Sequence, residues 1–316
     1  VRTGSTDQLP QSEAREPDGH TDPALSEAEA LLWSGRTSEV GPYVVSLASR
    51  TTDDTVRVRL SILHGMALFE LGEVSQAVVQ LRESVDASRH LSAQIQFAAA
   101  LALFSRESQF QPPNETLPAL SRLRQLAATV GDATSLGSLH LVVARLEACR
   151  GHCVNARRHL EISRKLFNIV NRPLLHGMIS LVDSGLEMYG GNLARAATAA
   201  RHGRDSAALA SLNIPMAGSL TNLGSVMLFC GNSEQARECL NKALSMCDGL
   251  LLTRLCALDS LAQVALHEGK VDECRVSIDL CEKVIQQHSL PARSWYDLTH
   301  QLTRSAYFER LENWSL

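Results

Sequence analysis

Residues 223–243 read LGSVMLFCGNSEQARECLNKA, and their pattern indicates the fold of most of the chain. Two segments with helical patterning lie on either side of Gly231. Gly224, seven residues before that glycine, and Ala236, five residues after it, are both small, and the aliphatic Leu240 follows four residues later. A glycine can end a helix in a left-handed conformation, and small side chains let a second helix lie close against the first. The stretch therefore predicts a helical hairpin.

The same pattern recurs along most of the chain, which indicates a repeat protein. The turn glycines are separated by 37, 79, 40, 40 and 38 residues, so the gap of 79 spans two repeats whose missing turn falls at residues 111–114. Pro173, Pro215 and Pro291 mark the starts of first helices, where a missing N–H costs nothing. The turn glycines are Gly35, Gly72, Gly151, Gly191, Gly231 and Gly269, and the small residues five positions later are Ala77, Ala156, Ala196, Ala236 and Cys274.

The repeat predicts an all-α fold, an α-α superhelix (solenoid) of about seven helix-turn-helix repeats with a C-terminal capping helix. No alternating run of Val, Ile or Thr indicates a strand. Residues 1–24 are polar and rich in Pro, Gly, Asp and Glu, and they predict a disordered tail or linker. The solenoid takes up residues 25–316, with hairpins expected near 25–50, 55–88, 92–129, 135–170, 173–211, 215–247 and 250–288 and the capping helix near 292–312.

The spacing of these small and aliphatic residues is similar to the tetratricopeptide repeat signature. The best matching unit has Leu223 and Gly224, followed by Gly231, Ala236, Leu240 and Ala243. A second unit has Gly65, Gly72, Ala77 and Leu81, with Ser84 where the signature usually has Ala. The family repeat is about 34 residues long, whereas the spacing here is nearer 40. That spacing resembles the superhelical domain of the maltose-regulon activator and of related bacterial multidomain signalling and transcription regulators; HEAT-like helix pairs share the longer period.

Composition excludes several classes of protein. The net charge is −4 and the isoelectric point is near 6.3, so no overall charge favours nucleic acid or an anionic membrane. No stretch approaches the roughly 18 apolar residues of a membrane span. The eight cysteines lie mostly among apolar helical positions and no secretion signal is apparent, so we expect reduced thiols in the cytoplasm. We expect no membrane partner and no direct nucleic-acid contact by this segment.

The sequence contains no recognised catalytic signature, and we expect a protein that is not an enzyme and binds no cofactor. Cys149 and Cys153, with His152 between them, are the best metal candidate, but two thiols flanking a repeat turn are an equally simple interpretation, and we expect no metal. A segment rich in arginine and lysine forms either a solvated outer face or a binding site for an anionic partner. Its residues are Arg150, Arg157, Arg158, Arg164 and Lys165.

The resemblance implies that the first helix of each hairpin lines a concave groove. Helical phase, counted back from each turn glycine, then gives the candidate partner-binding residues, although each of them could instead have a packing role. They are Met66, Arg145, Met188, Tyr189, Asn222, Phe229, Asp259, Gln263 and His267.

The leading hypothesis is a protein- or peptide-binding scaffold, a sensory or assembly module of a larger bacterial signalling or transcription-regulatory protein whose flanking domains could be among its partners. The alternative is a small-ligand or peptide sensor whose superhelix changes shape on binding. A remote alternative is an enzyme with an active site in the groove. A deep, closed pocket would favour the sensor, and an open channel would favour the scaffold.

Overall fold

The computed structural model describes residues 22–110, 115–170, 173–247, 249–288, 290 and 295–312. Within these ranges it has fifteen α-helices, one 3₁₀ turn and no β-strand, so the predicted all-α superhelix is confirmed. The helices are α1 (Pro23–Trp33), α2 (Thr37–Ala48), α3 (Asp54–Glu70), α4 (Val74–Ala87), α5 (Ala93–Glu107), α6 (Leu117–Val130), α7 (Ala133–Cys149), α8 (Cys153–Val170), α9 (Pro173–Tyr189), α10 (Leu193–Leu209), α11 (Asn213–Phe229), α12 (Ser233–Leu244), α13 (Leu251–His267), α14 (Val271–Gln287) and α15 (Trp295–Glu312).

The helix boundaries match the predicted hairpins within a few residues. The described part of α15 begins at Trp295, and α1 begins at Pro23, inside the segment predicted as a tail. The prediction of disorder for residues 1–21, the turn at 111–114 and Pro291 lie outside the described residues. In the described part of the chain, no helix combines the length and the apolar character that a membrane crossing requires.

The turns inside the hairpins share one pattern of backbone hydrogen bonds. Gly231 has φ +77°, its N–H donates to the Leu228 carbonyl at 2.8 Å, and the N–H of Asn232 donates to the Met227 carbonyl at 2.9 Å. This pair of bonds is a Schellman motif, which needs a left-handed residue that glycine supplies without steric cost. The other five turn glycines have φ between 74° and 85°, which confirms that each ends a helix.

Small residues set the distance between the two helices of a hairpin. Ala236 and Leu240 of α12 are fully buried against α11. A methyl group on Gly224 of α11 would lie 2.6 Å from Leu240 Cγ, and one on Gly65 would lie 2.7 Å from Leu81 Cγ. The hairpin can therefore close to this distance only because the first helix has no side chain at the crossing point.

The hairpins stack in two layers. Consecutive first helices, α7, α9, α11 and α13 among them, contact one another, while each second helix packs on its own first helix and on the first helix of the next hairpin. This arrangement places the first helices on the inner side of the superhelix and the second helices on the outer side.

The superhelix curls far enough for its two ends to meet. Thr37 Oγ1 donates to the Gly249 carbonyl at 2.7 Å, and Asn213 Nδ2 donates to the Ser34 carbonyl at 2.7 Å. Phe69 also shares an apolar cluster with residues of α13 and α14. We call this region, where α1–α5 meet α11–α15, the seam. We call the inner side of the superhelix, lined by the first helices, the channel.

Candidate binding channel

One repeat position, two residues before the turn glycine, places a series of side chains on the inner layer. Tyr189 and Phe229 occupy it in neighbouring hairpins, and each is 56% exposed. Such exposure is unusual for large apolar side chains that stand next to each other. The residues at this position are Trp33, Glu70, Cys149, Tyr189, Phe229 and His267.

The surroundings of Tyr189 show that it lies within the channel. Burial raises the pKa of its phenol well above the usual value, and the thiols of Cys256 and Cys149 act in the same direction. Cys149 ends α7, in the preceding hairpin, and Cys256 belongs to α13, two hairpins further on. A side chain of α9 can lie near both only if it points toward the concave side of the superhelix.

A second group of polar side chains meets at the C-terminal end of α5. The Ser105 carbonyl accepts a hydrogen bond from Arg145 Nη2 at 2.5 Å and another from Gln109 Nε2 at 3.0 Å. Arg106 Nη1 donates to the Ser105 hydroxyl at 3.1 Å. The Tyr296 hydroxyl, from α15, donates to Gln109 Oε1 at 2.9 Å. Helices α5, α7 and α15 thus contribute to one polar site.

Aromatic rings flank this polar group. Phe110 contacts Phe69 at a centroid distance of 5.7 Å and Tyr296 at 6.0 Å, and the Arg106 guanidinium lies 5.7 Å from the centroid of Phe69. The rings shield the guanidinium on one side, which lowers the local dielectric and strengthens its electrostatic interactions. We call Glu70, Ser105, Arg106, Gln109, Arg145 and Tyr296 the seam cluster.

Burial dominates the electrostatics of the seam cluster. It lowers the pKa of the guanidinium groups of Arg106 and Arg145. For Arg106, the nearby Glu70 opposes this shift and the positive charge of Arg145 adds to it. Burial also raises the pKa of the Glu70 carboxyl, and Arg106 opposes that rise. Arginine stays protonated despite such shifts. Neither arginine forms an ion pair within 4.0 Å with a described residue, so the positive charge of the cluster is poorly compensated.

Several predicted groove residues already serve contacts between helices. Asn222 Nδ2 donates to the Leu181 carbonyl at 3.2 Å and to the Ser184 hydroxyl at 2.8 Å, which ties α11 to α9. Gln263 Nε2 donates to Asp259 Oδ2 at 3.0 Å and to the Thr303 hydroxyl of α15 at 3.2 Å.

Asp259 is 5% exposed, and its Oδ1 lies 3.6 Å from Nδ1 of the buried His300. The amides of Asn222 and Gln263 are thus engaged within the fold, and a role for these residues in binding stays a prediction.

The other predicted groove residues differ in how far they reach the surface. Met66 is half-buried and packs against apolar residues of the first three hairpins, while Met188 packs against the apolar cluster of the fifth to seventh hairpins. Phe229 and His267 are exposed. Arg145 and Tyr189 are the two predicted residues that the fold brings into the channel together with other polar groups.

The predicted basic patch is largely neutralised by nearby acids. Arg150 pairs with Glu147 at 3.1 Å, and Arg157 pairs at 2.8 Å with Glu187, which is 1% exposed. Arg164 pairs with Glu161 and, at 2.9 Å, with Asp183. Arg158 and Lys165 are exposed and form no ion pair with a described residue. The patch on α8 therefore consists mainly of ion pairs, which favours the interpretation as a solvated outer face.

A cleft of about 540 Å³ opens on this outer face between α8, α9 and α10. The Ser180 hydroxyl and His202 Nδ1 on its wall are 2.9 Å apart and hydrogen-bonded. Asp183 on the wall is held by Arg164. These four polar side chains are therefore already engaged in contacts within the fold.

Cys149 and Cys153 lie on either side of the turn at Gly151, as the repeat predicts. Burial raises the pKa of the Cys149 thiol, which disfavours the thiolate form that metals bind. Within the ranges that the structure describes, no three His, Cys, Asp or Glu side chains cluster with the spacing of a metal site. That the protein binds no metal stays a prediction.

Sequence reasoning missed most of the seam cluster. Glu70 occupies the same repeat position as Tyr189, so its place on the inner wall could have been read from the turn glycine at Gly72. Gln109 and Tyr296 are 187 residues apart in sequence, and no pattern in the chain pairs them. Arg106 lies beside the turn that lacks a glycine. The direction of its side chain therefore could not be predicted by counting back from a turn glycine.

Comparison with known proteins supports the architecture. No protein-family model matches the sequence, and no curated protein matches it. The structure is similar to that of a Rap protein complexed with competence and sporulation factor, with a TM-score of 0.66 and 12% identity over 90% of this chain and 81% of that chain. It is also similar to NprR in complex with its cognate peptide NprX, with a TM-score of 0.58 and 16% identity over 94% of this chain and 87% of that chain.

A third similar structure is a signal transduction ATPase with numerous domains and a tetratricopeptide repeat sensor, from Pyrococcus horikoshii. The TM-score is 0.50 and the identity 14%, over 86% of this chain and 44% of that chain. At these identities the matches concern the fold. The chain has a tetratricopeptide-like superhelical fold, which confirms the resemblance in the sequence.

Proposed function

We propose that this chain is a binding scaffold whose channel holds a peptide or an extended segment of a protein. The observation that carries the proposal is the exposure of Tyr189 and Phe229 side by side on the inner layer. Large aromatic side chains contribute strongly at interfaces because they bury much apolar area at a small cost in side-chain entropy. Placed one repeat apart, the two rings offer contacts in succession along an extended chain.

The similar structures support a peptide or protein ligand. Two of them are named as complexes, one of a Rap protein with competence and sporulation factor and one of NprR with its cognate peptide. The third is a multidomain signal transduction ATPase with a repeat sensor. By this likeness we propose that the chain is a sensory or assembly module of a bacterial signalling or transcription-regulatory protein that acts in the cytoplasm. The proposal includes no catalytic role, no cofactor, and no contact of this segment with nucleic acid or membrane.

A peptide sensor that changes shape on binding is the alternative, and the seam favours it. Hydrogen bonds such as those from Thr37 to Gly249 and from Tyr296 to Gln109 join the first repeats of the superhelix to the last. Each such bond contributes only about 1 kcal/mol. A ligand that bound one seam geometry better than another would therefore shift the pitch of the superhelix.

The test uses a pool of random pentapeptides passed over immobilised protein, with the retained peptides quantified by mass spectrometry. Wild-type protein should retain a subset of the pool. The variant carrying Tyr189→Ala and Phe229→Ala should lose most of it without a large change in melting temperature, because both rings are exposed. The matched control is Val154→Ala on the outer helix α8, where the side chain is 78% exposed. Equal retention by the channel variant and the wild type would place binding elsewhere.

Shape change is measured in the same system. Small-angle scattering with and without a retained peptide should show a change in the radius of gyration if the sensor alternative holds. An unchanged radius with a bound peptide would support the passive scaffold.

A further inference from the structure

The seam cluster contains two guanidinium groups that converge on one residue. Arg145, from α7, reaches the Ser105 carbonyl, and Arg106, from α5, reaches the Ser105 hydroxyl. Two like charges this close repel each other unless an anion lies between them or beside them. The described residues place no carboxylate within 4.0 Å of either arginine.

Both arginines retain hydrogen-bond donors that the fold does not use. Arg106 Nε is buried and has no partner. Arg145 donates through Nη2 alone, to the Ser105 carbonyl and, at 3.0 Å, to the Ser108 hydroxyl. A guanidinium carries five N–H donors in a planar fork that matches a carboxylate. The arrangement therefore lacks an acceptor that is both negatively charged and planar.

Glu70 does not fill this role. It is close enough for Arg106 to counteract the burial that raises the pKa of its carboxyl, yet it forms no ion pair under 4.0 Å with that arginine. Glu70 is the last residue of α3. With Glu70 ionised, the two arginines leave a net charge of one positive unit in the cluster.

We propose that Arg106 and Arg145 form a subsite for a carboxylate of the bound peptide, either an acidic side chain or the C-terminus. This inference rests on the proposed function and specifies the chemistry of its ligand. A carboxylate brings one negative charge, which balances the net charge of the cluster. A phosphate would bring nearly two charges into a partly desolvated site next to Glu70, which is less favourable.

The position of the subsite gives the ligand a defined register. Tyr296 and Gln109 close one side of the cluster, and Phe69 and Phe110 form its apolar wall. A peptide whose carboxylate is held by Arg145 can extend along the inner layer toward Tyr189, which lies one hairpin further on at the repeat position of Cys149. The ligand expected from these features is a short peptide with one acidic group and at least one apolar or aromatic side chain.

A structural role for Arg145 is the competing explanation. Its bonds to Ser105 and Ser108 could serve only to cap the C-terminal end of α5, where a cation interacts favourably with the helix dipole. The two explanations differ in what the loss of the charge does. Loss of a capping residue lowers stability whether or not ligand is present, whereas loss of a ligand-binding arginine removes an unpaired, partly buried charge and need not lower stability.

The experiment passes two random pentapeptide pools, one with free C-terminal carboxylates and one with C-terminal amides, over immobilised protein at about 150 mM salt, where charges beyond roughly 8 Å are screened. The proteins are wild type, Arg145→Gln, Arg106→Gln and the control Arg158→Gln, an exposed arginine of the outer face. The readout is the ratio of Asp and Glu to Asn and Gln at each position of the retained peptides. The carboxyl and amide pools separate C-terminal from side-chain recognition.

We expect wild type and Arg158→Gln to favour acidic peptides, or the carboxyl pool, by about tenfold or more, as a charge-assisted bidentate contact allows. In Arg145→Gln and Arg106→Gln the ratio of acidic to amide residues should fall to about one. Any preference of the retained peptides for apolar side chains should remain. Retained peptides without any acidic preference, or a preference that survives both substitutions, would overturn the subsite and leave the proposed function intact. Failure of wild type to retain any peptide would overturn both.

A second measurement needs no ligand. The melting temperature of Arg145→Met should equal or exceed that of the wild type. The matched variant Arg157→Met removes the nearer of the two arginines that pair with buried Glu187 and should melt at a lower temperature. A fall for Arg145→Met as large as that for Arg157→Met would assign Arg145 a structural role and overturn the proposal.

Discussion

Two glycines in neighbouring first helices should respond to alanine with opposite signs. Gly185 of α9 and Gly224 of α11 both lie in helix interiors, where Gly→Ala gains about 0.5–1 kcal/mol in helix propensity. A methyl group on Gly185 would have its nearest neighbour, Asn222 Nδ2, at 4.0 Å, which is an ordinary contact. Gly185→Ala should therefore raise the free energy of unfolding by about 0.5–1 kcal/mol.

The same methyl group on Gly224 has no room. It would lie 2.6 Å from Leu240 Cγ, 2.8 Å from Leu240 Cδ2 and 3.2 Å from the Ala236 carbonyl oxygen. Leu240 would have to retreat by roughly 1 Å to restore normal contact, and it is fully buried. Overpacking of this kind costs about 1–3 kcal/mol. After the gain in propensity, Gly224→Ala should lower the free energy of unfolding by about 1–2 kcal/mol.

A double-mutant cycle isolates the steric cause. Leu240→Ala alone should cost about 2–5 kcal/mol because it leaves a cavity. In that background, Gly224→Ala should become neutral or stabilising, which gives a coupling free energy of about 1–3 kcal/mol between the two positions.

Urea denaturation followed by circular dichroism measures all four proteins and the Gly185→Ala control. Equal slopes with denaturant would show that the same cooperative unit unfolds. If Gly224→Ala is as stable as Gly185→Ala, helices α11 and α12 do not cross as closely as the structure shows.

Three further substitutions test other parts of the fold. Ala236→Glu places an unpaired carboxylate at a fully buried site and should cost several kcal/mol; a melting temperature near that of the wild type would show that this face of α12 is not buried. Arg157→Met should cost about 1–3 kcal/mol, because buried Glu187 loses its 2.8 Å partner and keeps only Arg195, at 3.9 Å; adding Glu187→Gln should recover part of the loss in urea titrations, and no recovery would contradict the buried-charge explanation. His140 Nδ1 and His159 Nδ1 are 2.7 Å apart, and burial lowers the pKa of both imidazoles below the ordinary value of 6.5. The unfolded chain therefore binds more protons, so the stability that these residues contribute is present above pH 6.5 and is lost as the pH falls through the lower folded pKa. Between pH 7 and 5 the wild type should lose more stability than the double variant with Gln at both positions, and equal losses would exclude the pair as the cause.

Helical phase located the inner layer correctly but could not tell which side chains are available there. Asn222 is on a first helix, as counted from its turn glycine, yet its amide bonds to Leu181 and Ser184 of the neighbouring hairpin. Gln263 is likewise engaged by Thr303 of α15. Helical phase gives the direction in which a side chain points from the axis of its own helix. Whether that side chain is free to bind a ligand depends on which neighbouring residue contacts it, and that neighbour lies about one repeat away in sequence.

The helices, their turns and the crossing within each hairpin can be predicted from the amino-acid sequence. These features depend on contacts between residues less than one repeat apart: the left-handed glycine at Gly231, the small residue Ala236 and the missing side chain at Gly224. Each is a local requirement that recurs at fixed spacing, so a single chain displays it several times.

The place where the two ends of the superhelix meet depends instead on the folded arrangement of all the repeats together. Each repeat adds a small rotation and rise to the one before, and the sum over five or so hairpins brings α15 to the end of α5. A slight difference in any of these steps would separate Tyr296 from Gln109, which lie 187 residues apart. The convergence of Arg106 and Arg145 beside them is a product of that accumulated geometry, and no local pattern in the sequence records it.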